Sequence, residues 1–202
     1  MSFKVPWRPD NWVVYAPETV FDGVVIFETE RTIVRPWTEA DADRIYDTLR
    51  RMEVAKWLGS EPKPMKSRDE ALKWIAAWRE RNEADPRVGC WAVEVKATGV
   101  AAGSVLLNHL PRADGEIEIG WHFHPDSWGQ GYARESALAT LDKGFEDEIP
   151  ELWAITHLGN DRSQKVCLAL GMLDQGVFHD RWYDGDARIY RLTRDEWLAR
   201  RS

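Results

Sequence analysis

The sequence contains few cysteines and no long hydrophobic segment. Its 202 residues include two cysteines, Cys90 and Cys167, whose spacing predicts neither a disulfide framework nor a zinc site, and we expect no metal. No apolar run approaches membrane-spanning length, and residues 1–6 lack the apolar core of a signal peptide. These absences predict a cytoplasmic protein without a membrane partner.

Positive charge is also scarce, since the formal net charge is −7 at pH 7. A protein that binds nucleic acid needs a basic surface to meet the phosphate backbone, so we expect no nucleic-acid partner. The same charge slightly favours a cationic acceptor. With 44% hydrophobic and 30% charged residues, the chain has the composition of a globular protein of one domain.

The first 23 residues differ from the rest in composition. They contain three prolines and several aromatic residues without a helical or strand period. We predict an extended N-terminal arm over residues 1–23 and a single domain over residues 24–202. Because disordered tails are usually poor in Trp, we expect the arm to pack on the domain or on a partner subunit, as in a homodimer.

The stretch from 116 to 145 predicts a strand, a glycine turn and a helix. Residues 116–123 alternate polar and apolar side chains, and Pro125 ends the strand. The turn at 126–131 opens into a helix whose apolar residues recur every four positions, at Ala133, Ala137, Leu141 and Phe145. The chain is organised around this stretch.

The turn suits a phosphate, because the first turn of a helix exposes unpaired N–H groups and the positive end of the helix dipole. Gly129 and Gly131 permit unusual backbone angles and a close anion approach. Familiar nucleotide motifs are nevertheless missing: no Gly-Lys-Ser/Thr ending follows, and Arg134 occupies the third glycine position of the dinucleotide fingerprint. The alternative is a turn whose glycines serve conformation alone.

Trp128-Gly-Gln-Gly-Tyr-Ala133 resembles the acyl-coenzyme A signature of the GCN5-related N-acetyltransferases, Arg/Gln-x-x-Gly-x-Gly/Ala. Trp128 departs from the first position, in the manner of the branch that includes ribosomal-protein alanine acetyltransferases. Residues 29–36 resemble that branch's opening strand, with Thr32 in place of the usual Leu. Residues 160–172 are similar to the second signature, Asn-x-x-Ser/Ala followed by Leu-Gly-Phe, with Met172 in place of Phe. The resemblance covers about residues 24–195.

The resemblance implies an α/β fold of mixed α+β type. It has a twisted, mostly antiparallel sheet of six to seven strands, split between the strand ending at Phe123 and the strand starting at Leu152, with helices on both faces. Acetyl-CoA, the cosubstrate, would lie in the split, its pantetheine amides on the free strand edge and its pyrophosphate on the helix. The implied coenzyme contacts are Trp121, His122, Phe123, Trp128, Gly129, Gln130, Gly131, Tyr132, Ala133, Arg134, Asn160 and Ser163.

The implied activity is transfer of an acetyl group from acetyl-CoA to a primary amine, on a protein N-terminus or a small molecule, by direct attack. The family position of the base falls on Glu118, which would act directly or through water. The alternative is a carboxylate that is only exposed on the outer face of its strand and takes no part in catalysis. The other candidates for the base are Glu116, His122 and His124.

The proton donor departs from the family pattern. Many family members carry a Tyr acid where this chain has Cys167. Ser163, a helical turn earlier, is therefore predicted to lie near the thioester sulfur and to orient the leaving group, unless it only bonds the local backbone. The missing Tyr also leaves an alternative function, a catalytically silent acyl-CoA-binding sensor or interaction domain.

The remaining elements are predicted from period and capping. Thr38 and Ser67 are expected to cap two helices, the first running to Met52 and the second ending at Asp85. The region between these helices closes over the acceptor in the family, which makes four residues candidate acceptor contacts: Trp57, Met65, Trp74 and Trp78. The alternative for each of them is a core residue at helical spacing. Other predicted segments are strands at 24–37, 90–96, 100–110 and 152–158, a helix from 160 to 171, a hairpin of 177–183 and 187–192, and a final short helix.

Overall fold

The computed structural model describes residues 24–61 and 63–200. The predicted arm at 1–23 lies outside the described residues. Within the described part, eight strands are formed: β1 (Phe27–Glu28), β2 (Thr32–Pro36), β3 (Gly89–Val95), β4 (Val100–His109), β5 (Ile117–Phe123), β6 (Glu151–His157), β7 (Leu173–His179) and β8 (Asp186–Thr193). The same residues form six α-helices: α1 (Ala42–Leu49), α2 (Met52–Ala55), α3 (Arg68–Ala84), α4 (Tyr132–Glu146), α5 (Asp161–Ala169) and α6 (Arg194–Ala199).

All eight strands belong to one sheet, in the order β1-β2-β3-β4-β5-β6-β8-β7. Every neighbouring pair is antiparallel except β5 and β6, which are parallel. The mixed, mostly antiparallel fold class is therefore confirmed. The sheet has more strands than the six to seven predicted, partly because residues 27–28 form a separate edge strand on β2.

The sheet is split at its parallel pair, as predicted. β5 and β6 are paired only where Ile117 lies beside Leu152 and Glu118 beside Trp153. Beyond these positions β5 continues to Phe123 on β4, whereas β6 continues along β8. The two halves of the sheet therefore separate and leave an opening.

Helices cover both faces of the sheet because successive strand residues point to opposite sides. On β3, Trp91 and Val93 belong to the core under α4, and the intervening Ala92 belongs to the core under α1 and α3. The predicted stripe of α4 is confirmed, since Leu141 and Phe145 are fully buried. Burying each such side chain contributes about 1.5–3 kcal/mol to folding.

The predicted cap at Ser67 is found, whereas Thr38 caps a short 3-10 helix, Glu39–Asp41, that precedes α1. Ser67 Oγ accepts a hydrogen bond from Glu70 N at 3.3 Å at the start of α3. The Asp41 carboxylate accepts one from Thr38 N at 2.9 Å. The prediction of one helix reaching Met52 is wrong, because Arg51 takes an extended conformation and separates α1 from α2.

The C-terminal hairpin differs from its prediction in the bounds of its first strand and in the length of its loop. β7 ends at His179, so residues 180–183 do not form a strand and instead belong to a six-residue loop, the β7–β8 loop (180–185). Asp180 has a positive φ of 48°, and its carboxylate accepts a hydrogen bond from Gly185 N at 2.6 Å. This side-chain bond closes a longer loop than the two-residue turn predicted at Asp184-Gly185.

Candidate active site

A cleft of about 860 Å³ occupies the split between β5 and β6. Its walls come from these two strands, from the turn before α4, from the first turns of α4 and α5, and from the β7–β8 loop. Of the thirteen residues predicted to bind coenzyme or act in catalysis, twelve line this cleft: Glu118, Trp121, His122, Phe123, Trp128, Gly129, Gly131, Tyr132, Ala133, Arg134, Asn160 and Ser163. The predicted set is thus brought together by the fold.

The edge of β5 presents backbone groups to the cleft. Hydrogen bonds between antiparallel strands alternate along the chain, and His124 N donates to Ala102 O at 2.9 Å. The even-numbered residues of β5 therefore bond to β4, and the N–H and C=O groups of Ile119, Trp121 and Phe123 face β6. Because β6 has diverged at this point, the groups of Trp121 are available to a ligand that lies along the strand.

One predicted part of that edge is already engaged. Trp128 Nε1 donates a hydrogen bond to the carbonyl oxygen of Phe123 at 2.8 Å. The guanidinium of Arg162, on α5, lies 4.8 Å from the centre of the Trp128 ring. Trp128 thus ties the end of β5 to the turn and contacts α5 across the cleft.

The glycine turn has the conformation that its sequence predicts. Gly129 and Gly131 have φ angles of 77° and 82°, which favour glycine. The first bond of α4 runs from Glu135 N to Gly131 O at 3.1 Å. The amides of residues 132–134 therefore have no partner within the helix and carry the positive end of its dipole.

Gln130 is the predicted contact that does not line the cleft. Gln130 is exposed, and its backbone carbonyl oxygen accepts a hydrogen bond from Arg31 Nη1 at 2.9 Å. Arg31 Nε also donates to Glu135 Oε2 at 2.7 Å. The backbone at Gln130 is thereby held against α4 from outside, so this residue supports the turn.

Asn160 and Ser163 form the start of α5. Asn160 Oδ1 accepts a hydrogen bond from Ser163 N at 3.3 Å, which confirms the predicted cap. Cys167, one turn further, is buried and does not line the cleft. Burial raises the pKa of its thiol to about 12, so Cys167 does not replace the Tyr acid.

Glu118 lies in the wall of the cleft, half-buried beside the point where the strands part. Burial raises the pKa of its carboxyl to about 7, against the opposing effect of a hydrogen bond from Tyr183. Tyr183 Oη donates that bond to Glu118 Oε2 at 2.7 Å. A carboxyl with a pKa near neutrality is well matched to proton abstraction at physiological pH.

The raised pKa predicts how stability depends on pH. Between the unfolded value of about 4.5 and the folded value of about 7, the folded state binds more protons, so Glu118 costs stability increasingly as pH rises. Glu118→Gln removes that cost and should raise the free energy of unfolding at pH 8 by about 1–3 kcal/mol relative to wild type, with little gain at pH 4.5. Denaturant unfolding at both pH values measures this, and a gain that is equal at both would contradict it.

The other predicted bases are less suitable. His122 lines the cleft, but burial lowers the pKa of its imidazole to about 4, so the ring is neutral and weakly basic at pH 7. Glu116 and His124 do not line the cleft. His124 is buried, with Nε2 2.9 Å from Asp47 Oδ2 and Nδ1 2.9 Å from Asp126 Oδ1.

Two of the four candidate acceptor contacts line the cleft, namely Trp57 and Trp78. Met65 and Trp74 do not line it; they are partly buried and pack against the hydrophobic core under α1 and α3. The centre of the Trp74 ring lies 6.2 Å from that of the His122 ring, in an edge-to-face arrangement. Sequence reasoning missed several other lining residues, among them Asn108, His157, Arg162 and Tyr183.

Two further observations concern only residues 24–61 and 63–200. None of the helices there combines the length and the apolar character needed to cross a membrane. No group of three or more His, Cys, Asp or Glu side chains in that part of the chain is placed to hold a metal ion.

Comparison with known proteins agrees with this geometry. Residues 31–173 match the family model of the acetyltransferase (GNAT) domain. The chain is 25% identical over 174 residues to the uncharacterized N-acetyltransferase YoaA of Bacillus subtilis, covering 84% of this chain and 97% of the relative.

Solved structures show the same fold. The ribosomal-protein-S5-alanine acetyltransferase of Vibrio fischeri is 22% identical, with a TM-score of 0.68 over 85% of this chain and 97% of that one. RimL, a ribosomal L7/L12 alpha-N-protein acetyltransferase in complex with coenzyme A, is 15% identical, with a TM-score of 0.70 over 83% and 97%. The family match spans well over half of the sequence, and the chain therefore belongs to the GNAT family of acetyltransferases.

Proposed function

We propose that this protein transfers the acetyl group of acetyl-CoA to a primary amine in the cleft between β5 and β6. The observation that carries the proposal is the composition of this one cleft. It joins a glycine turn and a helix N-terminus suited to phosphate with a carboxylate, Glu118, whose pKa is near neutrality. Acyl transfer from a coenzyme A thioester to an amine uses both features, the first to hold the donor and the second to take up the proton.

The residues present fit acetyl-CoA. Gly131 has no Cβ in the turn, and the free amides of residues 132–134 offer donors to a pyrophosphate. The unpaired backbone of Trp121 offers a donor and an acceptor to the pantetheine amides. Arg134 and Arg162 place positive charge along the same wall, opposite in sign to the phosphates.

In the proposed reaction the neutral amine nitrogen attacks the thioester carbonyl carbon and forms the C–N bond. Glu118 accepts the proton that the nitrogen loses, directly or through one water. The C–S bond then breaks, and the thiolate leaves with a proton from solvent or from a donor in the site. The products are an acetylated amine and the free thiol of coenzyme A, so charge and protons balance.

Ser163 is the proposed donor near the sulfur. It lies on the first turn of α5 and lines the cleft. Its backbone N–H is engaged by Asn160, which fixes the residue at the helix start. As a hydroxyl, Ser163 orients the leaving thiolate by a hydrogen bond and relays a proton from water, because a serine is intrinsically a weak acid.

The acceptor belongs to one of two classes, a protein α-amino group or a small-molecule amine. The two structural neighbours named above are acetyltransferases of ribosomal proteins, so peptides with a free N-terminus are among the acceptors to be assayed. The aromatic side chains of Trp57 and Trp78 in the cleft suit an amine with an apolar body. Release of free thiol from acetyl-CoA, measured with a panel of peptides, polyamines, aminoglycosides and amino acid derivatives, distinguishes these classes.

Coenzyme A should raise the melting temperature of the protein, because a ligand that binds only the folded state stabilises it by mass action. At a hundredfold excess over Kd the gain is about 2.7 kcal/mol. Adenosine 3′,5′-bisphosphate and ADP, which lack pantetheine, should give much smaller shifts at equal concentration. Thermal unfolding with each compound measures this, and equal shifts would refute the pairing of pantetheine with β5.

A further inference from the structure

We propose that Tyr183 is a positioning residue for the acetyl transfer, holding the carboxylate of Glu118 by its phenol hydrogen bond and favouring the ionised form of that carboxylate, which is the form that accepts a proton. The inference rests on the proposed role of Glu118 as the base. Tyr183 lies on the β7–β8 loop, 65 residues from Glu118 in the sequence.

The contact has the geometry of a strong hydrogen bond. Tyr183 Oη lies 2.7 Å from Glu118 Oε2, and both side chains line the cleft. A neutral donor bonded to a carboxylate stabilises the charged form by more than an ordinary hydrogen bond does. The bond engages Oε2, which leaves Oε1 to receive the proton of an amine or of a bridging water.

The loop that carries Tyr183 is firmly attached to the sheet. Trp182 is buried, and its ring packs 5.0 Å from the ring of Trp153. The guanidinium of Arg181 lies 4.1 Å from the centre of the Trp182 ring and 5.1 Å from that of Trp153. Trp153 is the residue of β6 paired with Glu118, at the last position before the two strands separate. The anchor of the loop and the base therefore share one point of the sheet, which fixes the phenol before substrate binds.

The polar and titratable groups near Glu118 and Tyr183 come from several elements. On β5, His122 is neutral at pH 7, and the β4 partner of Glu118 is Asn108, which is uncharged. Arg81, on α3, acts on the Tyr183 phenol from a distance and lowers its pKa, a smaller effect than those of burial and Glu118, which raise it.

Several other polar groups on the rim have partners of their own, and Arg134 on α4 and Arg162 and Lys165 on α5 add positive charge to the cleft wall. Asp184 is paired with Arg112 at 2.6 Å, and Asp186 with His179 at 2.7 Å. His157 Nε2 lies 3.0 Å from the carbonyl oxygen of Gly59. Among the described residues, the Tyr183 hydroxyl is thus the group that offsets the burial of the Glu118 carboxylate.

The test is Tyr183→Phe, with kcat/KM measured from pH 5.5 to 9.5 using one amine. Loss of the bond destabilises the carboxylate, so the acidic limb of the profile should move up by about one pH unit. Activity should fall about tenfold below pH 6.5 and recover towards the wild-type plateau at high pH. KM for acetyl-CoA should change little. Tyr46→Phe, the same change on α1 outside the cleft, should leave the profile unmoved.

A second substitution keeps the ring and the hydroxyl, and so protects the test against misfolding. Replacing Tyr183 by 3-fluorotyrosine makes the phenol a stronger donor and should move the limb the opposite way, to lower pH. A uniform loss of activity with an unmoved limb, or no change in either variant, would overturn the proposal and leave Tyr183 a packing residue.

A direct titration separates failure of this inference from failure of the proposed function. The ¹³C NMR signal of the Glu118 carboxyl, identified by its absence in Glu118→Gln, reports the pKa without any substrate. A raised pKa in Tyr183→Phe together with full activity of Glu118→Gln would confirm the coupling but reject Glu118 as base. An unchanged pKa would reject the coupling whatever the activity.

Discussion

Glu118→Gln should lower turnover by about two to four orders of magnitude, the usual range for loss of a general base. The amide has nearly the size of the carboxylate and still accepts the Tyr183 hydrogen bond, but it does not take up a proton. The affinity for coenzyme A should therefore stay close to that of wild type. Steady-state kinetics and a coenzyme A titration on the same preparation measure both quantities.

Glu116→Gln is the matched control, because Glu116 lies two residues away and outside the cleft. It should retain turnover within a few fold. If Glu118→Gln turned over normally at every pH, the assignment of the base would fail. A kcat/KM profile of His122→Gln would then decide whether the limb near neutrality belongs to that histidine, although its lowered pKa argues against it.

Gly131→Val should abolish the thermal stabilisation by coenzyme A while leaving the fold largely intact. Gly131 has a φ of 82°, and a side chain at this position would come within 3.3 Å of Arg31 Nη2. A β-branched residue at positive φ costs about 1–3 kcal/mol or distorts the turn. A distorted turn moves the free amides of α4 away from the phosphates, and in an undistorted turn the valine side chain obstructs the approach of the phosphates to these amides.

The control for backbone strain is Gly99→Val. Gly99 has a φ of 67° in the β3–β4 turn, and a Cβ placed there would have no atom within 4 Å beyond its two chain neighbours. This variant should lose similar stability and keep the full coenzyme A shift. Retention of that shift in Gly131→Val would show that the phosphates bind elsewhere.

Local features of the site were predictable from sequence, because short-range chemistry determines them. Gly129 and Gly131 take the positive φ angles that only glycine adopts easily. The four-residue period of α4 placed Leu141 and Phe145 in the core, where both are fully buried. Asn160 caps α5 through the backbone of Ser163, as its residue type favours.

Long-range and side-dependent features were not predictable in the same way. Tyr183 reaches Glu118 across 65 residues of sequence. The sequence predicts a strand over residues 177–183 because the local residues favour extended structure, whereas the strand ends at His179. Trp74 and Trp78 are four residues apart on α3, yet only Trp78 lines the cleft. Helical period identifies an apolar face but does not say whether that face meets a core or a ligand.

The break between α1 and α2 also depends on tertiary structure. Asp47 accepts hydrogen bonds from Arg51 and lies 2.9 Å from His124, which is on a different element. These contacts hold the chain where Arg51 leaves the helical conformation. Nothing in the local pattern from Thr38 to Met52 interrupts the helix, so the sequence alone predicts a continuous one.

The most direct measurement of the central claim is mass spectrometry of acceptors after incubation with acetyl-CoA labelled with ¹³C in the acetyl group. The panel contains N-terminal peptides and small-molecule amines, and free thiol is measured in parallel. The account predicts a labelled acetylated amine, one thiol released for each product, and loss of both with Glu118→Gln. Binding of coenzyme A with no labelled amine above the enzyme-free control would contradict the account and favour a catalytically silent acyl-CoA-binding domain.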